Sequence, residues 1–335
     1  MAVRCETVLQ AVRDLCPPRF ALEGDATGLQ VGHPGREVER VLCALDLTLA
    51  VAEEARDLGA GLVVSHHAVI FRPLRHLRTD DFKGRILETL IKHDVAVYVP
   101  HTAMDVVAGG MNDHLAASVG LRDPRPLEET GRDPAELLVF PPPPEGLDAM
   151  RADLLDRGAL EVASHGERVE AVVPARRTAS CSRLLEKRLG HPPRVVPLAS
   201  HGASRGIGRI GRLARPEALQ DLAARLKQQL AAPGVRLVAA DPAAQVSKVA
   251  VLGGDGRRFL SAAVFAGAEA LVTGDVDHHT ALEARARGLA LIDVGHWASE
   301  RQVSELLASG LRERLAEQPV EILASEVDTQ PFRFV

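Results

Sequence analysis

Cysteine is scarce: Cys5, Cys16, Cys43 and Cys181 are the only four, and no two of them make a CxxC pair. That usage gives no sign of a disulfide framework or of paired thiolate ligands and fits a reducing cytoplasm; Cys43, inside an apolar run, serves as a small hydrophobe. No apolar stretch reaches the length that crosses a bilayer. The amino-terminal stretch carries Arg4, Glu6, Arg13 and Asp14 among apolar residues at helical spacing, unlike the continuous core of a signal peptide. A formal charge of −5 with interspersed signs and no Lys/Arg-rich run leaves neither nucleic acid nor a membrane as an expected partner.

What the chain does have is 335 residues, comfortable for two domains, and apolar runs that end in histidine. Leu62-Val63-Val64 is followed by Ser65-His66-His67, and Val97-Tyr98-Val99 runs through Pro100 into His101, with Asp105 four residues on. Far downstream, Gly295-His296-Trp297-Ala298-Ser299-Glu300 repeats the His-x-x-x-acid hook. His101 to His296 and Asp105 to Glu300 are each separated by 195 residues, so the two hooks look like copies. Imidazoles and carboxylates placed where strands end point to a metal site, and a duplicated hook suits two metals.

The duplication reaches upstream. Gly59 to Ser65 reads like Gly267 to Thr273 at an offset of 208, and each copy follows an apolar strand and a helix. Strand, helix, strand at this spacing implies βαβ units and an α/β fold: two related lobes with mixed sheets flanked by helices. The stretch from Leu121 to Pro134, polar and carrying Pro124, Pro126 and Gly131, reads as a linker. Strand and helix signals from Glu136 to Ala199 then run independently of the repeat, so the expected domains are a first lobe over 1–132, a small α+β insert over 133–202 and a second lobe over 203–335.

These residues in this order resemble the Nif-three-like dinuclear metal-centre proteins, the GTP cyclohydrolase 1 type 2 family. The resemblance is carried by Asp25 to Gly32, Ser65 to Phe71, His101 to Gly110, Thr273-Gly274-Asp275 and Asp293 to Glu300. It implies a toroidal homohexamer whose subunits each hold two divalent metals through His66, His67, Asp105, His296 and Glu300. The insert resembles the PII-like, ferredoxin-like domain of longer members, shortened around Arg157 to Val169. Ala26, Ala68, Ala103 and Trp297 depart from the family pattern without removing a ligand.

Imidazole and carboxylate suit Zn, Mn, Fe or Co. Two such ions roughly 3.5–4 Å apart acidify a water and polarise an electrophile, which is a hydrolase design. Glu300 is the candidate bridge. Against this stand plainer readings: neighbouring strand residues such as His66 and His67 point opposite ways, and acids such as Asp105 and Glu300 often cap helices. His101 could hold a metal, bind substrate or donate a proton, or orient Asp105 from outside the coordination sphere. Arg72 and Arg75 could attract a phosphorylated substrate, or form a solvated face. Gly253-Gly254-Asp255-Gly256 reads as a turn more readily than a phosphate nest, and Asp275, His278 and His279 are left outside the site, Asp275 as a helix cap. The expected function is metal-dependent hydrolysis of a nucleotide or phosphorylated small molecule; the alternative is a non-catalytic metal-binding scaffold.

Overall fold

Three parallel strands, Arg40–Ala44, Leu62–Ser65 and Ala96–Val99, form the middle of the first sheet in the computed structural model, which describes residues 2–198 and 204–335. Val41, Cys43, Leu62 and Val64 point into one apolar cluster, and Leu42, Ala44, Val63 and Val97 into another. Because both faces of the sheet are covered, the strands read as unbroken apolar runs rather than alternating ones. The helices Leu49–Asp57 and Phe82–Lys92 begin where Thr48 and Asp81 accept hydrogen bonds from the Val51 and Gly84 amides. Gly28–Val31 pairs antiparallel with Ala96–Val99 at one edge; Glu321–Ala324 pairs parallel with Arg40–Ala44 at the other. The carboxyl-terminal stretch of the chain thus completes the sheet of the first lobe.

The second sheet repeats this plan. Gln245–Asp255, Ala270–Gly274 and Ala290–Asp293 are its parallel trio, and Arg236–Val238 lies antiparallel beside the third, as Gly28–Val31 does in the first lobe. A continuous apolar cluster takes residues from both sheets and from the helices Cys5–Leu15, Met111–Val119, Leu219–Gln229 and Val303–Arg314. The architecture is α/β, as the sequence indicates.

The stretch expected to be a linker is instead a strand. Leu121–Arg132 is the outermost member of the second sheet, beside Ser204–Ala218. At an edge, Pro124 and Pro126 need not donate to a neighbour on the open side, so proline is tolerated there. Only Leu121 and Leu127 are buried between residues 121 and 132, too few to show an alternating pattern.

Residues 131–205 form a compact unit of their own, distinct from the unit made by 1–130 and 206–335. Its sheet runs in the order Arg194–Leu198, Ala135–Phe140, Arg168–Pro174, Glu161–His165, every pair antiparallel. The helices Leu147–Asp156 and Thr178–Leu189 complete a core around Leu138, Met150, Leu154, Val173 and Leu185. The segment read as shortened holds the strand Glu161–His165, turned at Gly166-Glu167, where Gly166 has φ 62°. The expected boundary at 202 lies outside the described residues.

Candidate metal centre

The imidazoles follow the carboxyl ends of strands, where open α/β sheets present their functional groups. His66 and His67 come directly after Leu62–Ser65, and their amides continue the ladder to the Ala44 and Leu45 carbonyls at 2.9 Å. Being past the last strand residue frees them from alternation: the two rings converge with centroids 4.9 Å apart. His101 has φ 37°, a left-handed backbone uncommon outside glycine, and immediately precedes the short helix Thr102–Val106 that carries Asp105. Gly295, at φ 86°, turns the chain into the helix His296–Glu300. The two hooks have equal spacing but differ in phase, since His296 is the first helical residue and His101 the residue before one.

The two sheets bring these groups together. Glu300 Oε1 lies 3.9 Å from His66 Nε2, while Glu300 Oε2 lies 3.2 Å from His67 Nε2 and 3.0 Å from His296 Nε2. Asp105 Oδ1 is 3.8 Å from His66 Nε2. Three groups have donor atoms within 4.8 Å of one another and could hold a metal ion: His66, Asp105 and Glu300; His67, His296 and Glu300; and His66, His67 and His101. All six hook and doublet residues are therefore in one place. Neither Asp105 nor Glu300 caps a helix through its side chain.

Three further carboxylates hold the rings from behind, and sequence reasoning assigned none of them this part. Asp46 accepts from His67 Nδ1 at 2.7 Å, Asp275 from His296 Nδ1 at 2.8 Å and Asp25 from His101 Nδ1 at 2.5 Å. Each such bond leaves Nε2 turned toward the centre, the usual way a carboxylate fixes the tautomer and direction of a metal-binding imidazole. His101 accordingly makes its bond to Asp25, not to Asp105. Asp275 does not cap the next helix; Asp277 does, accepting from the Thr280 amide. His278 and His279 are exposed and stand apart.

Electrostatics sharpen the division of roles in the metal-free protein. Burial disfavours charge on His67, yet Asp46 and Glu300 outweigh it and lift the pKa to about 9. His296, also penalised by burial, is lifted to about 11 by Asp275 and Glu300. His66 is pushed down to about 3 by complete burial, despite the attraction of Glu300. Burial and the Glu300 charge raise the Asp105 carboxyl, whereas for Glu300 the effect of burial is overcome by His296 and His67, which hold it well below the usual range.

Both ring nitrogens of His66 and Asp105 Oδ1 are buried without a hydrogen-bond partner. Orphaned polar atoms at this depth are costly unless something charged completes them, and a cation between these donors would do so. The donor set fits a divalent metal.

Gly253 and Gly254 make room for it. A Cβ on Gly254, whose φ is +66°, would lie 2.5 Å from Glu300 Oε1 and 3.0 Å from His296 Nε2. Their amides are spent on Asn112 Oδ1 and Ser299 Oγ, at 3.0 and 2.9 Å, rather than left free for a phosphate. A cavity of about 560 Å³ opens onto His67 and His296, walled by Trp297, Phe82 and Phe332, with Lys83 as its cation. Arg72 and Arg75 are exposed and line a separate depression with Leu74, Leu77 and Phe82.

Comparison with known proteins agrees with the fold. The model of the Duf34/NIF3 (NGG1p interacting factor 3) family matches residues 3–331. The chain belongs to the Duf34/NIF3 family. This NIF3-family chain is 32% identical to the GTP cyclohydrolase 1 type 2 homolog of Halalkalibacterium halodurans, over 98% of each. It is 34% identical to the homolog of Streptomyces coelicolor, covering 92% of this chain and 86% of that one. Among solved structures, the Bacillus cereus protein related to NIF3 superposes with a TM-score of 0.81 at 34% identity, covering 100% of this chain and 99% of that one. Staphylococcus aureus protein SA1388 gives 0.76 at 27% identity, with 99% of each chain covered.

Proposed function

We propose that this NIF3-family protein holds two divalent metal ions and is a hydrolase of the GTP cyclohydrolase 1 type 2 kind, acting on a nucleotide or a phosphorylated small molecule. The observation that carries this reading is the split of Glu300: Oε1 faces His66, and Oε2 faces His67 and His296. A carboxylate so placed serves as a bridge, with His66 and Asp105 on one side and His67 and His296 on the other. Bound ions of the Zn, Mn, Fe or Co type would lower the pKa of water and polarise an electrophile. His101, held by Asp25, completes a group with His66 and His67 and stands ready as a further ligand or as an acid or base. Lys83 and the aromatic wall of the adjoining cavity suit a flat, anionic substrate better than the outlying Arg72 and Arg75 do.

The accessible cavity favours catalysis over the alternative, a closed metal-binding or regulatory scaffold. The names of the Halalkalibacterium halodurans and Streptomyces coelicolor relatives supply GTP as the first substrate to test. Kinship also supports assembly as a toroidal homohexamer, and four buried free cysteines support a cytoplasmic location. The β-α-β-β-α-β order of residues 131–205 supports reading that unit as a PII-like, ferredoxin-like domain inserted in a two-lobed core.

Elemental analysis of wild type beside His66→Ala and Glu300→Ala, with GTP turnover on the same samples, tests the proposal. About two ions per chain, lost in both variants together with turnover, is the expected result. Metal without turnover of GTP favours another substrate or the scaffold, and a wild-type chain that takes up no metal on reconstitution refutes the reading.

A further inference from the structure

The residues after Glu321–Ala324 run back toward the site and are tied down at two carboxylates of the first lobe. Ser325 Oγ and the Glu326 amide donate to Glu54 at 2.5 and 3.0 Å, and Thr329 Oγ1 donates to Asp46 Oδ2 at 2.5 Å. Asp46 uses its other oxygen, Oδ1, to accept from His67 Nδ1 at 2.7 Å. With both oxygens engaged, the carboxylate plane can no longer turn, and the direction of His67 Nε2 is set by a hydroxyl 262 residues away in the chain.

The same device occurs at a second place in the site. Asp25 accepts from His101 Nδ1 on Oδ1, while its Oδ2 is held by the Thr102 hydroxyl and, at 3.1 Å, by the Thr102 amide. Two of the three ring-holding carboxylates are thus locked by a threonine; Asp275 has no such hydroxyl among the described residues. Thr102 is next to the ring it serves, whereas Thr329 arrives from the carboxyl-terminal stretch. Pro331 and Phe332, just beyond it, wall the cavity onto which His67 and His296 open.

We propose that Thr329 is a positioning residue of the metal centre, acting through Asp46 on His67, so that docking of residues 325–332 sets the affinity of the half-site formed by His67, His296 and Glu300. The inference rests on the two-metal reading above. Loss of the hydroxyl frees Asp46 to rotate and leaves Oδ2 without its donor, while the half-site of His66, Asp105 and Glu300 keeps its geometry. Outer hydrogen bonds to metal-binding histidines are worth about 10–100-fold in affinity, and a residue one bond further out belongs near the lower end of that range.

The test is titration of the metal-free full-length protein with Co²⁺, followed by its visible absorption, in wild type, Thr329→Val, Thr329→Ser, Asp46→Asn and the Asp46→Asn/Thr329→Val double variant. The expected result is two binding steps in wild type, one of them weakened about tenfold in Thr329→Val and restored in Thr329→Ser. Thr329→Val should have no further effect once Asp46 is replaced, because the coupling runs through that carboxylate. Unchanged steps in Thr329→Val overturn the inference, as does equal weakening of both steps accompanied by a lower melting temperature of the metal-free protein, which marks a general structural role. A wild-type chain that binds no Co²⁺ instead refutes the metal reading itself.

Discussion

His67 Nε2 and His296 Nε2 face each other at 3.3 Å although 229 residues separate them in the chain. Each ring is held from behind by its own aspartate, Asp46 or Asp275, and both share Glu300 Oε2 in front. The aspartates behind and Glu300 in front favour protonation of both imidazoles despite their burial, and a divalent ion can take the place of those protons.

Metal uptake should therefore expel protons. The metal-free pKa values of about 9 for His67 and about 11 for His296 lie above the ordinary 6.5, so both rings are protonated at neutral pH. Affinity for Zn²⁺ is expected to rise steadily from pH 6 to 9, with proton release visible when calorimetric enthalpies are compared across buffers. The same raised values stabilise the metal-free fold fully below the unfolded value of 6.5, and that stability is lost as pH climbs through 9 toward 11. Chelated protein should melt at lower temperature as pH rises through this window, and a flat melting profile would contradict the assignment.

Glu300→Gln keeps the shape of the bridge and removes its charge. Two raised imidazole pKa values then lose their shared partner, and both proposed half-sites lose an anionic donor. The expected outcome is metal content near zero after gel filtration, with affinity weakened by more than about a hundredfold, beyond the range for outer-sphere changes. Retention of two ions would remove Glu300 from the centre.

Gly254→Ala should empty the site for a steric reason. The new Cβ would meet Glu300 Oε1 at 2.5 Å on a backbone of φ +66°. Gly166→Ala is the matched control, with a similar φ of +62° and nothing within 4 Å. Both variants are expected to lose roughly 1–2 kcal/mol of stability to backbone strain, but only Gly254→Ala should lose metal. Melting curves and metal content of the two variants decide it.

Excision of residues 131–205 is expected to leave the rest of the chain folded. A Cβ on Gly206 would lie 1.9 Å from Glu128 O, so the ends left by excising 131–205 are adjacent. Residues 131–205 also have their own apolar core. A chain joined from 130 to 206 by a short glycine turn is expected to fold and bind metal like the parent, and sedimentation of the two side by side reads the contribution of the insert to assembly. Loss of metal on excision would mean that the insert supports the site.

Much of this was legible in the residues because strand burial and ligand chemistry leave local marks. Leu62-Val63-Val64 and Val97-Tyr98-Val99 are apolar because helices cover both faces of their sheet, and a histidine directly after such a run sits at a strand end by construction. Duplication exposed the second hook, His296 with Glu300, and with it the second lobe. Leu121–Arg132 escaped because an edge strand with two prolines and few buried side chains lacks the alternation that marks a strand. Glu161–His165 escaped for a similar reason, having a single buried residue.

The sequence by itself determined which residue types stand at the strand ends, and hence the α/β class, the repeat and the six side chains of the hooks and doublet. Only the tertiary structure decided that Asp25, Asp46 and Asp275 each hold a ring, that Glu300 divides its oxygens between two sets of imidazoles, and that Thr329 reaches Asp46. The physical reason is range: periodicity and strand termination are set by neighbours a few residues apart, whereas an imidazole and its carboxylate meet through strand order and the packing of two sheets, which no local spacing encodes.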